Sequence, residues 1–178
     1  MSEYITTYTG LHFRPTEPDS DLIRIQDIAH ALSLICRGNG HVQTFWSVGE
    51  HCILCAKEAA AKGYSNRLVL AALLHDASEA YLSDITRPLK KHLEVYLQAE
   101  SKLQNMVYGM FLGELPNEQE REQIDSVDNV MLYHEFLHYT SEELSNYKGE
   151  ILSTPNFKFV EFKIIEQEYK DLFYNLTR

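Results

Sequence analysis

At 178 residues the chain is long enough for one domain with a sizeable buried core. Hydrophobic residues make up 44% and charged residues 24%, an ordinary globular composition that argues against a disordered or collagen-like chain. A formal charge of −10 excludes broad contact with a nucleic-acid polymer or an anionic membrane, both of which call for basic patches. It leaves room for a small anionic ligand where local Arg, Lys or a metal reverses the field.

Residues 1–20 carry no sustained helical period, and Pro15 and Pro18 break what could form. Leu22-Ile23-Arg24-Ile25 reads as a short strand. Asp27 to Cys36 reads as a helix with Ile28, Ala31, Leu32 and Ile35 on one stripe, stopped by Gly38. Ser47-Val48-Gly49-Glu50 has the form of a capping box and starts a helix running towards Gly63. The next helix spans Asn66 to about Tyr81. After the turn at Pro88, Leu89 to about Leu112 forms a long amphipathic helix ended by Gly113 and Pro116. Glu118 to about Tyr139 and Pro155 to about Leu176 supply two more. Six helices with short connections predict an all-α bundle in one domain over 1–178, with a core from about 20 to 140 and a C-terminal helix packed on it. The faces of 89–112 and 156–176 leave enough apolar surface for a homodimer.

Cys36, Cys52 and Cys55 are too few and too odd in number for a disulfide framework. The C-x-x-C pair Cys52/Cys55 reads as two small apolar residues on a buried helix face, since no second pair completes a zinc site. Met1–Tyr4 has no basic leader, and no apolar run is long enough to span a bilayer. The expectation is a reduced, cytoplasmic protein.

The chemistry concentrates at His75-Asp76, which follows the apolar run Leu68–Leu74. A carboxylate buried there without a partner costs several kcal/mol or shifts its pKa until it neutralises. A divalent cation removes the difficulty by taking both side chains as ligands. His51 has Leu54 and Cys55 at i+3 and i+4, so it faces the core. Asp128 has Ile124 at i−4 with Met131 and Leu132 at i+3 and i+4, and needs a cation, metal or an Arg or Lys. Two imidazoles and two carboxylates suit one divalent ion, Mn, Co, Fe, Ni or Zn, with Mg less at home beside two nitrogens.

The order H…HD…D over His51, His75-Asp76 and Asp128 resembles the HD-domain metal-dependent phosphohydrolases, a helical superfamily. Glu50-His51, His75-Asp76-Ala77-Ser78-Glu79 and Asp84 look like the 5′-deoxyribonucleotidase branch and its phage and bacterial relatives. The resemblance spans about residues 20 to 140 and is tightest over 75–84. It implies that His51, His75, Asp76 and Asp128 hold one metal ion, that Glu79 carries the proton chemistry, and that Asp84 lies close to the substrate. Arg37 would pair with the phosphate, and Lys90 could add charge. The nucleotidase branch has a Trp directly after that Arg where this chain has Gly38, so Trp46 or His41 would fill the space.

The implied activity is hydrolysis of a small nucleotide, a 5′-deoxyribonucleoside monophosphate. A rival is release of triphosphate from a deoxynucleoside triphosphate at the same site, for which Arg87, Lys90 and Lys91 are the nearby cations. A rival of another class is a non-catalytic helical module that uses the metal to tie its core helices together.

Overall fold

A computed structural model describes residues 3–178, so Met1 and Ser2, part of the leader reading, lie outside the described residues. The all-α class holds: the described residues form eight α-helices and a single two-stranded hairpin. The hairpin pairs β1 (Ile5–Thr6) with β2 (His12–Phe13) antiparallel, Ile5 opposite Phe13. Phe13 is fully buried and stacks on Tyr81 at 4.1 Å. Asp27 ties the hairpin to the bundle by accepting from the Thr9 N–H at 2.7 Å and the Thr9 hydroxyl at 2.8 Å.

The strand expected over 22–25 does not form. Ser20–Leu22 is a 3-10 turn capped by Asp19, and α1 starts at Ile25 and runs to Leu34. Ile23 and Ile25 are both buried, so this apolar run fills the helical core. Past α1 the chain turns extended at Ile35, and Arg37 N–H donates to Trp46 O while Val48 N–H donates to Ile35 O. These bonds pinch the 37–46 loop at its base and hand the chain to α2.

α2 (Val48–Ala61) is the central helix and is buried along most of its length. The Ser47 hydroxyl accepts from Glu50 N–H at 3.1 Å. Only that half of the expected capping box is made, because the Glu50 side chain is itself buried. Gly49 lets α1 approach closely: a Cβ there would stand 3.1 Å from Ser33 N.

α3 spans Asn66–Leu73 and stops there, short of the expected Tyr81. Residues 74–78 form tight turns, with Ala77 N–H donating to Leu74 O and Glu79 N–H to Asp76 O, before α4 (Glu79–Leu82). Gln104 satisfies the backbone freed by this break: its amide donates to Leu74 O at 2.7 Å and accepts from Ser78 N–H at 3.1 Å. The 89–112 helix also divides, into α5 (Arg87–Lys90) and α6 (Glu94–Leu112), with Leu93 in a non-helical conformation between them. Gly113 ends α6 at φ 82°.

α7 (Glu118–Tyr139) matches its expected bounds, opened by an Asn117/Glu120 capping box. α8 is shorter than expected, Phe162–Leu176, because Glu161 caps it and the chain from 155 to 161 is not helical. It buries Ile165, Tyr169 and Phe173 against α1, α2 and α3, and the Tyr169 hydroxyl donates to Leu73 O at 2.8 Å. One hydrophobic cluster runs from Phe13 to Phe173. No described helix is long and apolar enough to cross a membrane.

Candidate metal centre

The fold brings the four expected ligands together in two overlapping sets, His51, His75 and Asp128 in one and His75 and Asp76 in the other. His51 comes from α2, His75 and Asp76 from the turn after α3, and Asp128 from α7. His51 Nε2 lies 3.2 Å from His75 Nε2, 3.1 Å from Asp128 Oδ1 and 3.8 Å from Asp76 Oδ2. His75 Nε2 lies 3.3 Å from Asp76 Oδ2 and 3.8 Å from Asp128 Oδ1. The outer nitrogens are occupied by acceptors: His51 Nδ1 faces Glu135 Oε2 at 2.8 Å and His75 Nδ1 faces Ala72 O at 2.8 Å. Those acceptors assign the protons to Nδ1. With those protons on Nδ1, both Nε2 atoms present lone pairs to each other and to two carboxylate oxygens, an arrangement that calls for a positive charge there, a proton on Nε2 or a metal ion. Ligand bonds near 2.1 Å put neighbouring donors about 3.0–3.4 Å apart, the range of the three shortest of these spacings.

The electrostatics point the same way. Burial and the Arg37 charge lower the His51 pKa, yet Cys55, Glu135 and the hydrogen bond to Asp128 outweigh them and hold it well above the ordinary value. His75 is raised likewise, burial opposing and Asp76 dominating the rise. Burial favours the neutral form of Asp76 and Asp128, but the two histidines, joined for Asp76 by Arg37, hold both well below the usual carboxylate range. The cluster therefore draws positive charge, and protons and metal ions compete for the same lone pairs.

Glu135 has the place of an outer partner that orients a ligating imidazole. It is fully buried, and its Oε1, like Trp46 Nε1 and Tyr139 Oη beside it, has no hydrogen-bond partner. Cys52 and Cys55 are buried as expected, but they are more than filler. Cys55 Sγ is 3.6 Å from His51 Nε2, and both thiols fall within ligand range of the cluster, Cys55 with His51, His75 and Asp128, Cys52 with His75 and Asp76. Burial raises the Cys52 pKa.

The two carboxylates of the cluster, Asp76 and Asp128, line a cavity of about 450 Å³. Arg37, Asp76, Glu79, Asp84, Arg87, Lys90 and Asp128 line its charged side, and Leu132, Phe136, Leu144 and Tyr147 face it with apolar groups. Arg37 is buried and donates to Asp76 Oδ2 at 3.1 Å. Arg87 donates to Asp128 Oδ2 at 2.7 Å and to Asn129 Oδ1 at 2.9 Å, its guanidinium stacked 5.1 Å over the Tyr147 ring. Glu79 is buried, with Lys90 Nζ 3.4 Å from Oε1 and no partner on Oε2. Burial, then the charges of Asp76 and Asp84, push its carboxyl well above the usual range. Asp84 reaches the cavity because Ser83 turns the chain at φ 74°, a conformation costing a non-glycine residue about 1–3 kcal/mol. The Tyr96 hydroxyl steadies that turn by donating to Ser83 O at 2.7 Å.

Two expected substrate contacts are not brought to the cavity. Gly38, Asn39 and Gly40 take left-handed conformations that carry His41 away to the surface, where it is exposed. Trp46 is fully buried behind the site, stacked on Tyr139 at 4.8 Å with the Arg37 guanidinium 5.1 Å over its ring. It steadies Arg37 and does not line the cavity. Gly38 itself does.

Glu135 escaped the sequence reading although its position carried a signal. It lies at i+7 from Asp128, a second acid on the stripe of Ile124, Asp128 and Leu132. In sequence Arg87 is only a nearby charge, since nothing local ties it to Asp128 across 41 residues. No protein-family model matches the chain. It is similar to YfdR of Escherichia coli, a protein described as uncharacterized, at 39% identity over 110 residues, 60% of this chain and 59% of that one. It is also similar to an uncharacterized protein of Rhodobacter capsulatus, at 37% identity over 102 residues, 54% of this chain and 50% of that one. The chain thus spans half to three-fifths of the length of these relatives, and neither name carries an activity.

Proposed function

We propose that this chain is a phosphohydrolase of the HD-domain type that uses one divalent ion, Mn, Co, Fe, Ni or Zn, to hydrolyse a small nucleotide, a 5′-deoxyribonucleoside monophosphate. The observation that carries the reading is the convergence of the His51 and His75 Nε2 atoms with the carboxylates of Asp76 and Asp128, the two carboxylates lining a cavity that also holds Arg37 and Glu79. His51, His75, Asp76 and Asp128 would hold the ion, which supplies charge to a phosphoryl oxygen and acidity to an adjacent water.

The chain's own residues do the rest. Arg37, already paired to Asp76 at the cavity wall, binds a phosphoryl oxygen and takes up charge that develops there. Glu79 offers its unpartnered Oε2 to the attacking water, and burial beside Asp76 and Asp84 favours its holding a proton taken from that water. Lys90 holds the other carboxylate oxygen in place. Asp84 sits where it can receive a hydroxyl of the leaving nucleoside.

The charges also favour a monophosphate over a triphosphate. Arg37, Arg87 and Lys90 are each engaged by a carboxylate, Asp76, Asp128, and Glu79 with Glu100. With Arg37 assigned to the phosphoryl group beside the ion, a longer anion would have to draw Arg87 from Asp128 or Lys90 from Glu79 and Glu100. Purified protein supplied with Mn or Co should release inorganic phosphate from 5′-deoxyribonucleoside monophosphates. Release of triphosphate from triphosphates would move the assignment to the longer substrate, and silence with every metal and nucleotide would leave a structural ion in a non-catalytic module.

A further inference from the structure

The cavity has two unlike halves. One set of lining groups is charged, Asp76 and Asp128 of the metal cluster with Glu79 and Arg37; the other is Leu132 and Phe136, one turn apart on α7, with Leu144 and Tyr147, and the single acid Glu142, from the segment that follows it. Leu132 is buried, and the other three are partly exposed towards the opening. Tyr147 reaches this wall through the 3-10 turn Ser145–Tyr147, after the chain reverses at Ser141 with φ 62°. Its ring carries the Arg87 guanidinium 5.1 Å above it, and Arg87 in turn holds Asp128. The aromatic side chain is thereby fixed relative to the metal cluster through two direct contacts.

Building on the monophosphate reading above, we infer that Leu132, Phe136, Leu144 and Tyr147 form a stacking subsite for the base of the nucleotide, and that Tyr147 sets preference for nucleotides over base-free phosphate esters. A phosphate bound at the charged half directs its leaving group towards this wall. A sugar hydroxyl placed against Leu132, Phe136 and Leu144 would lose its hydrogen bonds to water without replacement. A planar base loses little there and gains contact over its whole face. The cavity volume falls within the usual range for small-molecule sites, roughly 300–1,000 Å³. Every base has a π-face, so such a wall accepts several bases.

The test compares deoxyadenosine 5′-monophosphate with deoxyribose 5-phosphate, which keeps the phosphate and sugar but has no base, for the wild type, Tyr147→Ala, Tyr147→Phe and Leu144→Ala. The wild type should show a KM at least tenfold lower for the nucleotide. Tyr147→Ala should shrink that advantage by roughly 5- to 100-fold, the usual effect of losing one base–aromatic stack. Leu144→Ala should shrink it less, and Tyr147→Phe should keep it. Equal KM values for the two esters in the wild type, or an unchanged ratio in Tyr147→Ala, overturn the subsite. If neither ester is hydrolysed, calorimetry with the same nucleotide and with inorganic phosphate separates the two claims. Nucleotide binding that weakens in Tyr147→Ala keeps the subsite while the hydrolase reading fails, and no nucleotide binding overturns both.

Discussion

His51 and Glu58 stand two turns apart on α2, both fully buried and both polar, yet their surroundings differ in kind. Around Glu58 donors meet an acceptor. Its carboxylate accepts from Leu152 N–H at 3.1 Å, from Ser153 N–H at 2.8 Å and from the Ser153 hydroxyl at 2.6 Å, with Lys62 Nζ at 3.5 Å. The group is satisfied by the chain itself, and what it does is clasp the segment beyond α7 onto the bundle. Around His51 acceptors meet acceptors, with His75 Nε2 and two carboxylate oxygens crowding one lone pair. A proton or a metal ion completes that arrangement. A buried polar group whose hydrogen bonds close is architecture, and one whose lone pairs converge is a binding site.

The largest effect expected from this contrast is at Glu79, whose Oε2 is buried without a partner on the open side of the cluster. Glu79→Gln should lower kcat by about 10²–10⁴, the usual contribution of a positioned acid–base group, while metal content stays at the wild-type level. Steady-state kinetics with elemental analysis of the same sample checks it. Wild-type turnover would pass the proton chemistry to Asp84.

A smaller effect belongs to Glu135, which joins the two kinds of environment: one oxygen is satisfied by His51 Nδ1 and the other is not. Glu135→Gln should keep the fold but weaken metal binding by about 10- to 100-fold, as loss of an outer partner to a ligating imidazole does. Competition against a chelator of known affinity reads this directly. An unchanged metal affinity would make Glu135 a packing residue.

The smallest effect on function, and a purely structural one, is expected at Glu58. Glu58→Ala leaves two backbone donors and a hydroxyl without their acceptor, a loss of about 1–3 kcal/mol by denaturant unfolding with metal affinity unchanged. The pH dependence has a definite sign. Burial opposes, but the Ser153 and Leu152 hydrogen bonds and Lys62 hold the Glu58 pKa below the ordinary glutamate value. Its contribution is therefore complete above the unfolded-state pKa and is lost as pH falls through the lower folded value. The Glu58→Ala penalty should accordingly shrink in acid, and a penalty that grew on acidification would contradict the clasp.

The same contrast explains what was legible in the sequence. Helix α7 and the start of α2 were readable because their caps are local, Asn117 with Glu120 and Ser47 with Glu50 N–H. The four candidate ligands were readable because a His or Asp on an apolar stripe stands out against its neighbours. The break at 74–78 was not, since it depends on Gln104 from another helix replacing the lost backbone bonds. The hairpin at 5–13 was missed because two-residue strands leave no alternation, and its anchor, Asp27, lies 18 residues from Thr9. Trp46 was placed on the substrate side because spacing says nothing about which side of Arg37 a ring occupies. The clasp at Glu58 joins residues 94 and 95 positions apart, and no periodicity reports such a pairing.

The convergence of lone pairs at His51 is tested most directly by metal content and metal-dependent stability. Protein freed of metal by chelation should bind one divalent ion per chain when offered Mn, Co, Ni or Zn, and its Tm should rise with metal concentration, as for any ligand that binds only the folded state. Asp76→Ala should lose both the bound ion and that dependence, while Glu58→Ala should lower Tm yet keep them. A wild type that takes up no ion and shows the same Tm with and without metal would contradict the account, as would an Asp76→Ala variant with full occupancy.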